Sequence, residues 1–149
     1  MVDVEQQVSA FIEKFSDPMQ TRIRQCRARL QEAFPDAVQL VYDNYNFLVI
    51  GFGPTARPSD SIVSLACHRN GVTLCFLQDG PALTDPTGIL RGNGKVVRNI
   101  PLNGPEDLDA PEVEALLDTQ LAVARVPMGA GTGRQVIVRS VSKKQRPRR

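Results

Sequence analysis

Apolar residues recur at helical spacing in the first part of the chain and alternate with polar ones in the middle. Val4, Val8, Phe11, Ile12 and Phe15 form one stripe, which predicts an amphipathic helix over residues 4–15. Ser16-Asp17-Pro18 ends that helix and starts another. Asp17 can cap, and Pro18 suits a first helical position, where a missing amide loses no bond. The second helix runs to about Phe34, with Met19, Ile23, Cys26, Leu30 and Phe34 on one face. Arg22 and Arg29 flank one edge of this stripe, Arg24 and Arg27 the other, as arginines do when their stems cover a helix rim.

After Pro35 the pattern turns to strands. Residues 37–42 and 45–52 are rich in Val, Leu, Ile and aromatics, and a Gly-Pro-rich link at 53–60 follows. Asn70-Gly71 then separates two alternating runs, which predicts a two-residue hairpin with a type I′ turn. In that register Arg69 faces Val72, His68 faces Thr73, Cys67 faces Leu74 and Leu65 faces Phe76. Val63, Leu65, Cys67, Leu74 and Phe76 share an apolar face, expected to pack on the helices. Ser64, Ala66, His68, Thr73 and Cys75 share a small, half-polar one, with His68 and Cys75 as diagonal neighbours. Cys67 and Cys75 therefore point to opposite sides and cannot pair.

Residues 78–95 hold four glycines and two prolines, and a loop of this length inside a compact domain is more often functional than filler. Asp85-Pro86 is placed to open a single helical turn within it. Val96 to Leu102 reads as a strand, and Pro105 to Asp109 leads into a last helix at about 110–125. That helix buries Val113, Leu116, Leu117 and Leu121. Met128 to Gly133 is a Gly-rich linker, Gln135 to Val141 a candidate edge strand, and the charge from Lys143 onward predicts disorder. The order of elements predicts an α+β fold with about five strands packed on N-terminal and C-terminal helices. The domain is expected over residues 1–127, with a linker and basic tail over 128–149.

Composition narrows this picture. The chain has 149 residues, 42% apolar and 23% charged, which suits one globular domain and argues against disorder throughout. The longest apolar run, Phe47 to Phe52, is far too short to span a bilayer, and Asp3 and Glu5 stand where a signal peptide would be basic. Three cysteines, Cys26, Cys67 and Cys75, form no CxxC pair, so reduced thiols and a cytoplasmic location are expected. The net charge of +2 conceals a polarity: six of the 18 basic residues lie in the last 11 positions, leaving residues 1–138 at a net of −4.

Few motifs carry chemistry. Gly92-Asn93-Gly94-Lys95 departs from a nucleotide phosphate loop, because five residues separate Gly88 from Gly94 and Val96 replaces the Ser or Thr that holds magnesium. The segment reads either as backbone amides gathered on an anion beside Lys95 and Arg98, or as a tight turn with solvated cations. Gly129-Ala130-Gly131-Thr132-Gly133 follows a helix and precedes a strand, the reverse of a dinucleotide loop. His68 is the only histidine. It is either a half-exposed residue beside a turn or one member of a thiol–imidazole pair with Cys75. Glu106, Asp107, Asp109, Glu112 and Glu114 cluster at a helix N-terminus, where the helix dipole accounts for them.

These readings nominate no catalytic residue, no cofactor and no metal ligand. The expected activity is binding of a small, anionic ligand or a protein, through Tyr42, Asn44, Tyr45, His68, Lys95 and Arg98 on the half-polar sheet face and the adjoining loop. The alternative is a nucleic-acid accessory protein acting through Arg139, Lys143, Lys144, Arg146, Arg148 and Arg149, a segment that reads equally as a solubilising end. No membrane partner is expected.

The element order, together with Leu83-Thr84-Asp85-Pro86, Leu90-Arg91-Gly92-Asn93-Gly94-Lys95 and Arg98-Asn99-Ile100, resembles the YdhG-like domain family of bacteria, a domain of unknown function. The resemblance covers roughly residues 8–125 and is most specific from Asp85 to Ile100. Val41-Tyr42-Asp43-Asn44-Tyr45-Asn46 and the ending Arg139-Ser140-Val141-Ser142-Lys143-Lys144-Gln145-Arg146-Pro147-Arg148-Arg149 resemble one branch of it. Typical members carry an aromatic-Gly-Met-Pro turn near the first of these segments instead. The resemblance implies a curved antiparallel sheet packed on helices and brings no established reaction. A frataxin-like iron-chaperone role proposed for one member is the second alternative, although this chain has no dense acidic ridge to match it.

Overall fold

The computed structural model describes residues 3–131 and 133–149. Among these residues three α-helices, α1 (Val4–Ile12), α2 (Asp17–Ala33) and α3 (Pro111–Ala122), accompany a single sheet. Its strands are β1 (Val38–Asp43), β2 (Leu48–Gly53), β3 (Val63–His68), β4 (Gly71–Phe76), β5 (Arg98–Leu102) and β6 (Gln135–Val141). The sheet order is β5-β4-β3-β2-β1-β6. The α+β arrangement expected from the element order is present, with helices from both ends of the chain.

The sheet has six strands and is mixed. β1 to β5 form an antiparallel meander, and β6 lies parallel to β1. A parallel neighbour needs a crossover, and α3 supplies it by carrying the chain from the β5 edge back to the β1 edge. The five-stranded antiparallel part matches the expected sheet, and β6 adds a parallel edge strand whose direction its sequence pattern does not reveal.

Helix boundaries follow local capping. Asp3 accepts from the Gln6 amide at 2.9 Å while the Gln6 side chain accepts from the Asp3 amide at 3.2 Å, a reciprocal box that starts α1. The cap of α2 is Ser16 and not Asp17, which is already helical; the Ser16 side chain makes no capping bond, and Pro18 fits behind it. Phe15, fully buried between the two helices, pins their junction.

Val8, Phe11, Ile12, Ile23, Cys26 and Leu30 pack onto a sheet face formed by Leu48, Ile50, Phe52, Val63, Leu65, Cys67, Val72, Leu74 and Phe76. This is the apolar face predicted from the alternation, and all three cysteines are free. Arg27 is not a rim arginine. It is buried, donates to Gln39 at 2.9 Å and forms a fork on Glu5 at 2.9 and 3.0 Å, tying α2 to β1 and α1.

The β3–β4 hairpin forms, but its pairing is shifted by two residues from expectation, with the turn one residue earlier in the chain. His68 pairs with Gly71, Cys67 with Val72, Leu65 with Leu74 and Ser64 with Cys75, so the loop is Arg69-Asn70. Neither Asn70 nor Gly71 takes a positive φ, and no type I′ turn forms. The shift preserves which face each residue occupies, so burial does not separate the two registers; the Asn70 amide donating to His68 Nδ1 at 3.2 Å fits the observed one. His68 and Cys75 are consequently not diagonal neighbours, and the thiol–imidazole pair does not exist.

The long connection between β4 and β5 is held by its own backbone. Gly80 donates to the Val96 carbonyl at 2.7 Å, an approach so close that a Cβ at Gly80 would lie 2.7 Å from that oxygen. The Asp85 carboxylate accepts from the Ile89 and Leu90 amides at 3.0 and 2.9 Å, and Gly88 donates to the Asp85 carbonyl, so Asp85-Pro86 opens a β-turn instead of a helical turn. β5 starts at Arg98, two residues later than expected, because Val96 and Val97 belong to this loop.

Candidate functional site

One end of the sheet gathers three segments: the β1–β2 turn at 44–47, the β3–β4 turn at 69–70 and the chain after β6. Register places Phe47 opposite His68, since Leu48 pairs with Cys67 on the same two strands. Their rings meet edge to face with centroids 5.5 Å apart. His68 accepts the Asn70 amide on Nδ1, so in the neutral ring the proton sits on Nε2.

The segment after β6 is ordered, and the disorder expected from Lys143 onward is corrected. Ser142 donates to the Asp43 carbonyl at 2.8 Å and Arg146 to the Tyr45 carbonyl at 2.9 Å, extending the pairing past the end of β1. The physical reason lies in Asp43, which shares the helix-facing side of β1 with Gln39 and Val41 and is fully buried. A buried carboxylate needs cations. Lys14 reaches it at 2.6 Å from the end of α1, and Arg148 at 3.0 Å. The Arg148 guanidinium also donates to the Asn46 carbonyl at 2.9 Å and the Asn44 carbonyl at 2.6 Å, and lies over the Phe15 ring. Its Nε atom is buried with no hydrogen-bond partner among the described residues. Arg149 donates to the Glu13 and Lys14 carbonyls at the C-terminal end of α1, where the helix dipole favours a cation.

This strap sets Arg146 over the Tyr45 ring, 5.6 Å from its centroid. Asn46, Phe47, His68, Arg69, Asn70, Arg146 and Pro147 then line a shallow groove of about 520 Å³. All of them are exposed except the half-buried His68, with Tyr45 at 45% and Phe47 at 40% of their surface open. The turns and strap that build the groove, residues 44–47, 68–70 and 142–149, contain no acidic residue, and the adjoining Asp43 is buried against Lys14 and Arg148. Arg69 and Arg146 face it with no ion-pair partner among the described residues.

The sequence-nominated residues divide into two places. Asn44, Tyr45 and His68 lie at this groove or beside it, and Tyr42 lies two residues back from Asn44 along β1, on the sheet face away from the helices. Asn44 accepts from the Ser140 hydroxyl at 2.7 Å. Lys95 and Arg98 lie elsewhere. Arg98 pairs with Phe76 on the opposite edge strand, at the end of the sheet that carries Gln39 and Phe52, and its guanidinium closes the loop by donating to the Gly94 and Val97 carbonyls at 2.6 and 2.9 Å. Lys95 is exposed in that loop. The structure therefore does not bring the two halves together.

Of the tail cations, Arg148 and Arg149 are engaged internally, Arg146 lines the groove, Arg139 is exposed on β6, and Lys143 and Lys144 are exposed in the strap between Ser142 and Arg146. Phe47 and Arg69 escaped the sequence reading. Phe47 was hidden in an apolar run, and only its position opposite His68 distinguishes it. Among the described residues, no group of three or more His, Cys, Asp or Glu side chains could hold a metal ion, and no helix is long and apolar enough to cross a membrane. Comparison with protein-family models, curated proteins and solved structures finds no match to this chain.

Proposed function

We propose that this protein is a binding module for an anionic, ring-bearing ligand, held in the groove between the two hairpin turns and the C-terminal strap. The observation that supports the reading best is the convergence of Arg69 and Arg146 with exposed Tyr45 and Phe47, where the adjacent carboxylate, Asp43, is buried and already paired with Lys14 and Arg148. Arginine forks suit phosphate or carboxylate oxygens, and the rings offer faces to a planar group. The groove presents no nucleophile with an adjacent base, so binding and not catalysis is its chemistry. A branch of the YdhG-like family and a cytoplasmic location accompany this proposal. The two segments resembling that branch, residues 41–46 and 139–149, are the ones that pack together here. An iron-carrier role has no donor cluster to support it among the described residues.

The test is calorimetric titration of the full chain with phosphate- and carboxylate-bearing metabolites, nucleotides included. Arg69→Gln and Arg146→Gln should each weaken a detected ligand by about tenfold or more, the loss expected for one charged hydrogen bond. Lys95→Gln should leave it unchanged. Sensitivity to Lys95 with indifference to Arg146 would overturn the assignment in favour of the loop.

A further inference from the structure

We infer that the groove's ligand is a single strand of nucleic acid, an assignment that rests on the anion-binding reading above. Three observations carry it. The groove is lined almost entirely by exposed residues, so it lacks the walls that bury most of a small molecule. The cations continue beyond it: Lys143 and Lys144 lie between Ser142, bonded to Asp43, and Arg146, bonded to Tyr45, so they are fixed within a few residues of the rings. A β-bulge between Val41 and Tyr42 leaves Arg139 as the unpaired extra residue of β6, turned outward on the same edge. The result is a set of exposed cations leading to two partly exposed aromatic rings, Phe47 beside His68 and Tyr45 with Arg146 over one face. A strand whose phosphates track the cations while its bases stack on the rings matches that layout, whereas a duplex hides its base faces.

The chemistry shared by a strand and a mononucleotide is a phosphate with a base, and one titration series separates them. Fluorescence anisotropy is measured on the full chain with a short labelled single-stranded homopolymer, the matching duplex and unlabelled nucleoside monophosphate as competitor. The strand should bind more tightly than the duplex, and its affinity should fall with salt at a log–log slope of about −0.7 for each phosphate contacted. Tyr45→Ala and Phe47→Ala should each weaken the strand at least about fivefold without altering that slope. Lys143→Gln with Lys144→Gln should make the slope shallower while leaving the ring effect intact. Equal affinity for strand and duplex, or indifference to both ring substitutions, would overturn the inference and leave a nonspecific polyanion patch. Competition by the monophosphate at equal affinity would overturn the strand and retain the anion-binding module. No binding of any of these probes would overturn the inference; ligands detected by the metabolite titration decide the module separately.

Discussion

At the scale of single residues, the most consequential side chain is Asp43. Alternation along β1 puts Gln39, Val41 and Asp43 on the core side, and an acid at such a position demands a cation. Neither that requirement nor the partner was read from the sequence: the first strand was expected to end at residue 42, leaving Asp43 in a turn, and Arg148 lies more than a hundred positions away in a segment whose composition imitates a solvated tail. Removing one member of a buried pair strands the other. Arg148→Ala is therefore expected to cost about 3 kcal/mol, moderated by the remaining Lys14 contact, and Asp43→Ala up to about 5. The double variant should cost less than the sum, which urea midpoints can measure; strict additivity would mean that the ion pair contributes nothing.

The thiols give a second expectation at this scale. Burial pushes Cys26 from 9.0 up to about 11, and raises Cys67 in the same direction. The native state thus keeps protons that the unfolded chain surrenders. This contribution is fully present below pH 9.0 and is lost as the pH climbs through about 11. Urea midpoints should fall across that interval, and more gently in Cys26→Ala. An identical fall in the variant would assign the alkaline loss to other groups.

At the scale of elements, the helices and the apolar sheet face were readable because 3.6- and 2-residue periods encode burial directly. What periodicity cannot encode is a two-residue displacement of the pairing, which keeps every residue on its face, and the β3–β4 hairpin shows it. Both registers bury Leu65, Cys67, Leu74 and Phe76, so the choice between them falls to the turn, and Asn-Gly as a local signal loses to the pairing actually formed. The consequence for the site is direct: the observed register removes Cys75 from His68. His68 meets Phe47 across β2 and β3 instead. The last strand shows the same limit, since its β-pattern was visible while its parallel direction depends on the α3 crossover.

At the scale of the whole molecule, the first helix and the last residues close on each other. Arg149 binds the carbonyls ending α1, Lys14 binds both Asp43 and Gln145, and β6 covers the edge that β1 would otherwise expose. The separation into a mildly acidic body and a basic tail is real in charge but not in structure, since the tail's innermost arginine is a core residue. Deleting the tail therefore does not test ligand binding alone. A chain ending at residue 133 loses β6 and the Arg148 contact together. From the ion pair alone its melting temperature should drop by roughly 6–20 °C, and loss of the edge strand adds to that. Urea unfolding of the full-length Tyr42→Phe variant, in which Tyr45 is the sole tyrosine and no tryptophan competes, should follow a single transition reported alike by far-ultraviolet circular dichroism and by the fluorescence of Tyr45, which sits under the strap. If the tyrosine signal changed at lower urea than the helical signal, the strap would be an independent unit, and truncation would again become a clean assay of the groove.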